Sequence, residues 1–245
     1  LILLAENNEG YQNLMKIVSI GFVDGFYYKP RVDFEILEKY HTGLICLSAC
    51  LAGEVARELA RDNYEGAKEV ALKYEACFGK GNYFLEMQDH GIPAQQKVNA
   101  GLMRMHEETE IELVVTNDCH YTDAEDAEAH DLLLCIQTGT KVQNTDRMRY
   151  EGGQYYVKSE EEMKNLFPYA KEAVENTQKI ADRCYVEIEF GHTKLPHFEV
   201  PEGYDSWTYL NKLCFDGLDR RYGEKAEEMK PQLEYELNVI KTMGY

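Results

Sequence analysis

With 44 acidic against 26 basic side chains in 245 residues, a formal net charge of −18, the chain lacks the clustered Lys and Arg that grip a nucleic-acid backbone over a broad face. Hydrophobic residues make up 44%, and no apolar run approaches the roughly 20 residues that cross a bilayer as a helix, so no membrane partner is expected. Cys46, Cys50, Cys77, Cys119, Cys135, Cys184 and Cys214 are odd in number, scattered and free of any CxxC pair, which argues against a disulfide framework or a zinc finger and for a reducing, cytoplasmic setting.

Residues 1–5, LILLA, predict a buried strand, and residues 11–20 the helix after it. The loop GFYYKPR, residues 25–31, mixes rings with cations. Such a loop can stack bases and pair with phosphates, but packing of its rings on the body of the fold is the expected role. A short helix over 33–39, a strand over 43–47 and helices near 50–60 and 64–78 come after it. Next are a strand over 83–87, a helix over 94–110 and a strand over 113–116. Thr122 and Glu125 have the spacing of a capping box that opens a helix through residue 135. Strands alternating with helices predict an α/β fold with a mostly parallel sheet, about half of a β/α barrel.

The pattern changes after Gly139. RYEGGQYYV, residues 149–157, predicts two short strands around a Gly-Gly turn, and helices are expected over 160–167 and 172–183. GHTKLPHFEVPEGY, residues 191–204, is rich in Pro and Gly and marks the expected domain boundary. Helices over 206–222 and 227–243 are assigned to the next domain. With no initiating Met and a last stretch, VIKTMGY, that hands a helix on, the chain is expected to be a piece of a longer protein.

In parallel α/β folds, ligands and catalytic groups collect at the carboxyl ends of the strands. After the second strand comes SAC, ending at Cys50; after the third, QDH, with Asp89 and His90; after the fourth, NDCH, with Asp118 and His120. Three successive strands therefore deliver metal-capable side chains to one rim. Asp118 and His120 are two apart, so in an extended chain they share a side and Cys119 faces the other way. A carboxylate and a neutral imidazole suit zinc, manganese or iron, and a thiolate from Cys50 biases the choice toward zinc. Ordinary roles compete. Asn117 and Asp118 are turn residues, His120 can bond backbone, and a buried Cys often acts as a small apolar residue. Asp89 and His90 stand before Gly91-Ile92-Pro93, where turn formation accounts for them. His41, His106, His130, His192 and His197 lack a partner at ligand spacing. No phosphate-binding GxxxxGK[ST] loop, GxGxxG or GxSxG element is present.

GFYYKPRVD, LSACLAGE, VVTNDCHY, AEAHDLLLCIQTG, KSEEEM, ENTQKIADRC and EYELNVIKTMGY, in this order, resemble segments of the C-family bacterial replicative DNA polymerases of the DnaE type, the alpha subunits of DNA polymerase III. The resemblance covers essentially the whole chain. It implies that residues 1–193 are most of a polymerase and histidinol phosphatase (PHP) domain, a distorted β/α barrel, and that residues 194–245 are a helical start of the polymerase palm. In this family the PHP rim can hold up to three metal ions on nine ligands. Motif against motif, Cys50, Asp118 and His120 fall on three of them, whereas Asp89 and His90 do not.

The resemblance further implies a DNA-directed DNA polymerase whose catalytic aspartates, with their magnesium ions, lie outside this chain, along with the earlier PHP ligands. Zinc or manganese is expected in the PHP cluster, which either carries a 3′-5′ exonuclease activity or stabilises the fold. DNA primer-template and dNTPs, a sliding clamp, a clamp loader and a proofreading exonuclease subunit are the implied partners. The alternatives are a stand-alone PHP phosphatase and a metal-free PHP scaffold that docks a proofreading subunit.

Overall fold

In the computed structural model, which describes residues 1–192 and 194–244, strands β1 (Ile2–Ala5), β2 (Leu44–Leu47), β3 (Tyr83–Met87) and β4 (Leu113–Val115) form one sheet in the order β1-β2-β3-β4. β2, β3 and β4 are buried along their whole lengths, as expected of strands covered on both faces. Successive residues alternate between those faces. Leu44, Cys46, Tyr83, Leu85, Met87, Leu113 and Val115 enter the larger core, while Ile45, Leu47, Phe84 and Val114 meet Ile180 on the other side. The fold is thus α/β, a partial β/α barrel.

β2–β3 and β3–β4 are parallel, but β1 runs antiparallel to β2, with Ala5 opposite Leu44 and Ile2 opposite Leu47. Alternation of strands and helices does not fix this sense; the route of the connection does. Helix α1 (Asn8–Val23) leads away and α2 (Phe34–Tyr40) leads back, returning the chain to the point it left. There the Glu6 N–H donates to the Gly43 carbonyl at 2.9 Å. The first turn of α1 presses on the same place: a Cβ on Gly10 would lie 1.8 Å from the Gly43 oxygen, so only glycine fits. Asn7 caps α1 by accepting the Gly10 N–H at 2.9 Å, which starts the helix earlier than its apolar spacing suggests.

The remaining helices of this unit are α3 (Glu54–Ala60), α4 (Tyr64–Phe78), α5 (Pro93–Thr109), α6 (Ala127–Thr138), α7 (Glu160–Leu166) and α8 (Lys171–Arg183). Three expectations are corrected. The loop around GFYYKPR does not bury its rings: Phe26, Tyr27 and Tyr28 are exposed. Tyr27 instead packs edge-on against Tyr28 at 4.6 Å and carries Arg31 over its face at 5.1 Å. The capping box before α6 is Asp123 with Asp126, one residue later than Thr122 with Glu125, because Asp caps at least as well as Thr and the Thr122 carbonyl is engaged by the Val157 N–H. Residues 149–157 form no strand pair. Their hydrogen bonds run sideways to the 117–122 loop: the Asn117 amide donates to the Gln154 and Tyr156 carbonyls, and the His120 N–H to the Tyr155 carbonyl.

The chain divides into two compact units, Leu1–Ile188 and Glu189–Tyr245. The second contains α9 (Ser206–Tyr222) and α10 (Ala226–Met243), which pack on each other around Leu218 and Leu237. The boundary expected between 193 and 194 falls on Thr193, which lies outside the described residues.

Candidate metal centre

Both turns that carry the candidate ligands adopt backbone conformations L-residues rarely enter. β2 is followed by Ser48 and Ala49, the latter with φ +68°, and the Cys50 carbonyl then accepts the Gly53 N–H at 2.8 Å. Cys50 therefore sits in a turn ahead of α3 rather than in a helix, and its thiol is half-buried and free. β4 is followed by Thr116 and the buried Asn117, after which Asp118 takes φ +42°. This turn brings Asp118 Oδ1 to 3.5 Å from His120 Nε2, with both side chains partly open to solvent. Cys119 faces elsewhere, its Sγ 3.4 Å from the Tyr156 carbonyl.

Aromatic rings wall the pair. The His120 ring centre is 4.3 Å from Tyr150, 5.5 Å from His130 and 5.8 Å from Tyr155. Burial pushes the Tyr150 and Tyr155 phenols up, and the nearby Asp118 carboxylate acts in the same direction on both. Among the described residues, however, no three His, Cys, Asp or Glu side chains are disposed to hold one ion. The structure brings Asp118 and His120 together and leaves Cys50 in the separate turn ahead of α3.

Asp89 and His90 have other work. Asp89 Oδ1 accepts the Gly91 N–H at 2.8 Å. His90 is 4% exposed and spends both ring nitrogens: Nε2 donates to the Asn117 carbonyl at 2.8 Å, and Nδ1 accepts from the Gln95 amide at 2.7 Å. Its ring stacks on Tyr155 at 4.0 Å. His130 escapes sequence reasoning because it reaches the site from α6, by tertiary folding that no ligand spacing announces. Tyr150 is delivered by the preceding Arg147, which is anchored on Asp131 of α6.

The separation of Asp118 and His120 fits two ligands of a single ion. Donors at about 2.0–2.1 Å from a tetrahedral metal lie roughly 3.3 Å apart, close to the observed 3.5 Å, and the pair makes no hydrogen bond of its own.

A partial α/β barrel with a carboxylate and an imidazole at the carboxyl end of a strand is the setting of a PHP domain, and residues 1–90 match the PHP domain family model. Over its full length the chain is similar to DNA polymerase III subunit alpha. It is 44% identical to the Treponema pallidum protein and 42% to that of Borreliella burgdorferi, covering 100% of this chain and 21% of each relative. The Thermus aquaticus protein is 39% identical over 93% of this chain and 19% of its own length. The chain spans about a fifth of the length of these curated relatives. No helix among the described residues is long and apolar enough to cross a membrane.

Proposed function

We propose that the chain is the PHP segment, residues 1–193, and the start of the palm, residues 194–245, of a replicative DNA polymerase III alpha subunit. The parent protein carries out template-directed deoxynucleotidyl transfer on a DNA primer-template, with magnesium-binding aspartates beyond this segment. The observation that carries this reading is the similarity to that subunit along the entire chain, 44% with the Treponema pallidum protein. A sliding clamp, a clamp loader and a proofreading exonuclease subunit are the partners of such a protein.

Within the PHP segment, Cys50, Asp118 and His120 are the residues that would hold zinc or manganese, together with ligands from outside the chain. A bound ion of this kind supplies an activated water and neutralises charge on a phosphoryl group. Asp118 presents its carboxylate toward the His120 Nε2, and both side chains are partly open to solvent. Tyr150 and Tyr155 shield the pair from the body of the loop. The excess of acidic residues is compatible with this role, since the basic surfaces that grip duplex belong to other domains of such a polymerase.

The complete protein tests both parts. Primer extension by wild type is the expected result for the polymerase reading, and its absence overturns that reading. Metal analysis of wild type and Asp118→Ala is expected to show less zinc or manganese in the variant. Equal content overturns the centre, leaving the scaffold alternative. Exonuclease activity that falls with the metal identifies a catalytic cluster; activity that does not fall identifies a structural one.

A further inference from the structure

Glu86 is a buried carboxylate, 6% exposed, on β3, and no cation pairs with it among the described residues. A buried charge of this kind is retained where it is hydrogen-bonded from several sides. Oε2 accepts the Ala49 N–H at 2.9 Å. Oε1 accepts the Thr116 hydroxyl and, at 3.1 Å, the Gln88 amide. The Glu86 backbone N–H donates to Ser48 Oγ at 2.8 Å. One side chain thus ties together the carboxyl ends of β2, β3 and β4.

Its two arms end beside the candidate ligands. Ala49 immediately precedes Cys50, and Thr116 is two residues before Asp118. Ala49 and Asp118 are also the residues with left-handed backbone in these turns, φ +68° and +42°, conformations that persist only where the surroundings impose them. Glu86 and Cys50 border one small cavity of about 10 Å³. Strand parity explains how one residue reaches both turns: Ala49, Glu86 and Thr116 continue the face that carries Leu47, Phe84 and Val114.

We propose that Glu86 is the positioning residue of the metal centre, setting the separation between the Cys50 turn and the Asp118–His120 turn; this rests on the PHP metal-centre reading. Glu86 touches no metal in this scheme. Replacing it with Gln keeps an acceptor for only one arm: against the Ala49 N–H an amide N–H₂ breaks that arm, and against Thr116 it reverses the bond, which the Thr116 hydroxyl must then accept while the Gln88 amide loses its acceptor.

The test uses the full-length parent protein, stripped of metal and titrated with Co²⁺ as the probe. The readouts are Co²⁺ affinity and the thiolate-to-cobalt charge-transfer band, which reports a bond to Cys50. Wild type is expected to show the band and Cys50→Ser to lack it. Glu86→Gln and Thr116→Val are expected to weaken the band and to lower Co²⁺ affinity about tenfold or more, and Thr116→Ser to restore the wild-type values. Circular dichroism checks folding; should Glu86→Gln fail to fold, Thr116→Val, which removes one hydroxyl arm, decides. Wild-type band and affinity in Thr116→Val and in any folded Glu86→Gln overturn the positioning role while leaving the centre standing. A wild-type protein without the band overturns the thiolate centre itself, and the Glu86 proposal with it.

Discussion

Arg147 holds Asp131 through two parallel bonds, Nη1 to Oδ1 at 2.7 Å and Nη2 to Oδ2 at 2.5 Å. The guanidinium side chain is 1% exposed, and the Asp131 carboxyl is held below the usual carboxylate range by it. This fork fixes the 147–150 strip against α6 and so lays Tyr150 beside His120. Asp131→Ala leaves a buried cation without its counter-ion. The expected outcomes are a lower melting temperature and a Tyr150 ring released from His120, read as a loss of cross-peaks between the two rings by NMR.

Asn117 is the staple between two loops. Its amide gives one hydrogen to the Gln154 carbonyl at 3.0 Å and the other to the Tyr156 carbonyl at 2.7 Å, from a position 8% exposed. Asn117→Ala removes the donor the two carbonyls share, leaving Gln154 O to the Lys158 ammonium and Tyr156 O to the weak Cys119 thiol, a loss on the order of 2 kcal/mol. If opening is local, the His120 and Val157 amides, which bond across the same seam, exchange with solvent about thirtyfold faster. Unchanged exchange at both would show that the seam is held by something else.

His90 separates structural from ligand histidines. With both ring nitrogens engaged and its face on Tyr155, it has no lone pair to offer an ion. His90→Ala is expected to leave the metal content of the parent protein unchanged and to lower stability on the order of 2–3 kcal/mol. Metal analysis beside chemical denaturation checks both halves. Loss of metal without loss of stability would reverse the assignment.

Glu162 makes stability depend on pH in a defined direction. The Ser159 N–H, then the Tyr156 and Ser159 hydroxyls, lower its carboxyl from 4.5 to about 2. A folded value below the unfolded one adds stability that is fully present above the unfolded value and is lost as pH falls through the folded one. The melting temperatures of wild type and Glu162→Gln are therefore expected to differ by a constant amount at neutral pH, and to converge between about 4.5 and about 2. A gap that persists to the acid limit would show that the bonds survive protonation.

Much of the scaffold is legible in the sequence because its signals are local. Tyr83–Met87, apolar but for Glu86, is buried without interruption, and Glu160–Leu166 falls within the helix expected over 160–167. The strand ends, with Cys50, Asp118 and His120 beyond them, follow from the same periodicities. The features that stay hidden depend on partners far along the chain. The sense of β1 is decided by where α2 returns. The course of residues 149–157 is decided by the amide of Asn117, and the company of His120 by an ion pair between α6 and the strip after it. Glu86 is visible as a polar residue inside an apolar strand, but its meaning needs the two turns it touches.

The antiparallel start of the sheet has a consequence for how such chains vary. Because Glu6 and Gly43 are bonded to each other, everything between them is an excursion whose two feet share one footing. Adding or deleting residues in the stretch between Val23 and Phe34 lengthens or shortens that detour without sliding β1 along β2. The pairing of the first two strands is therefore insulated from the length of that loop, whereas the same edit between β3 and β4 would be felt at the rim.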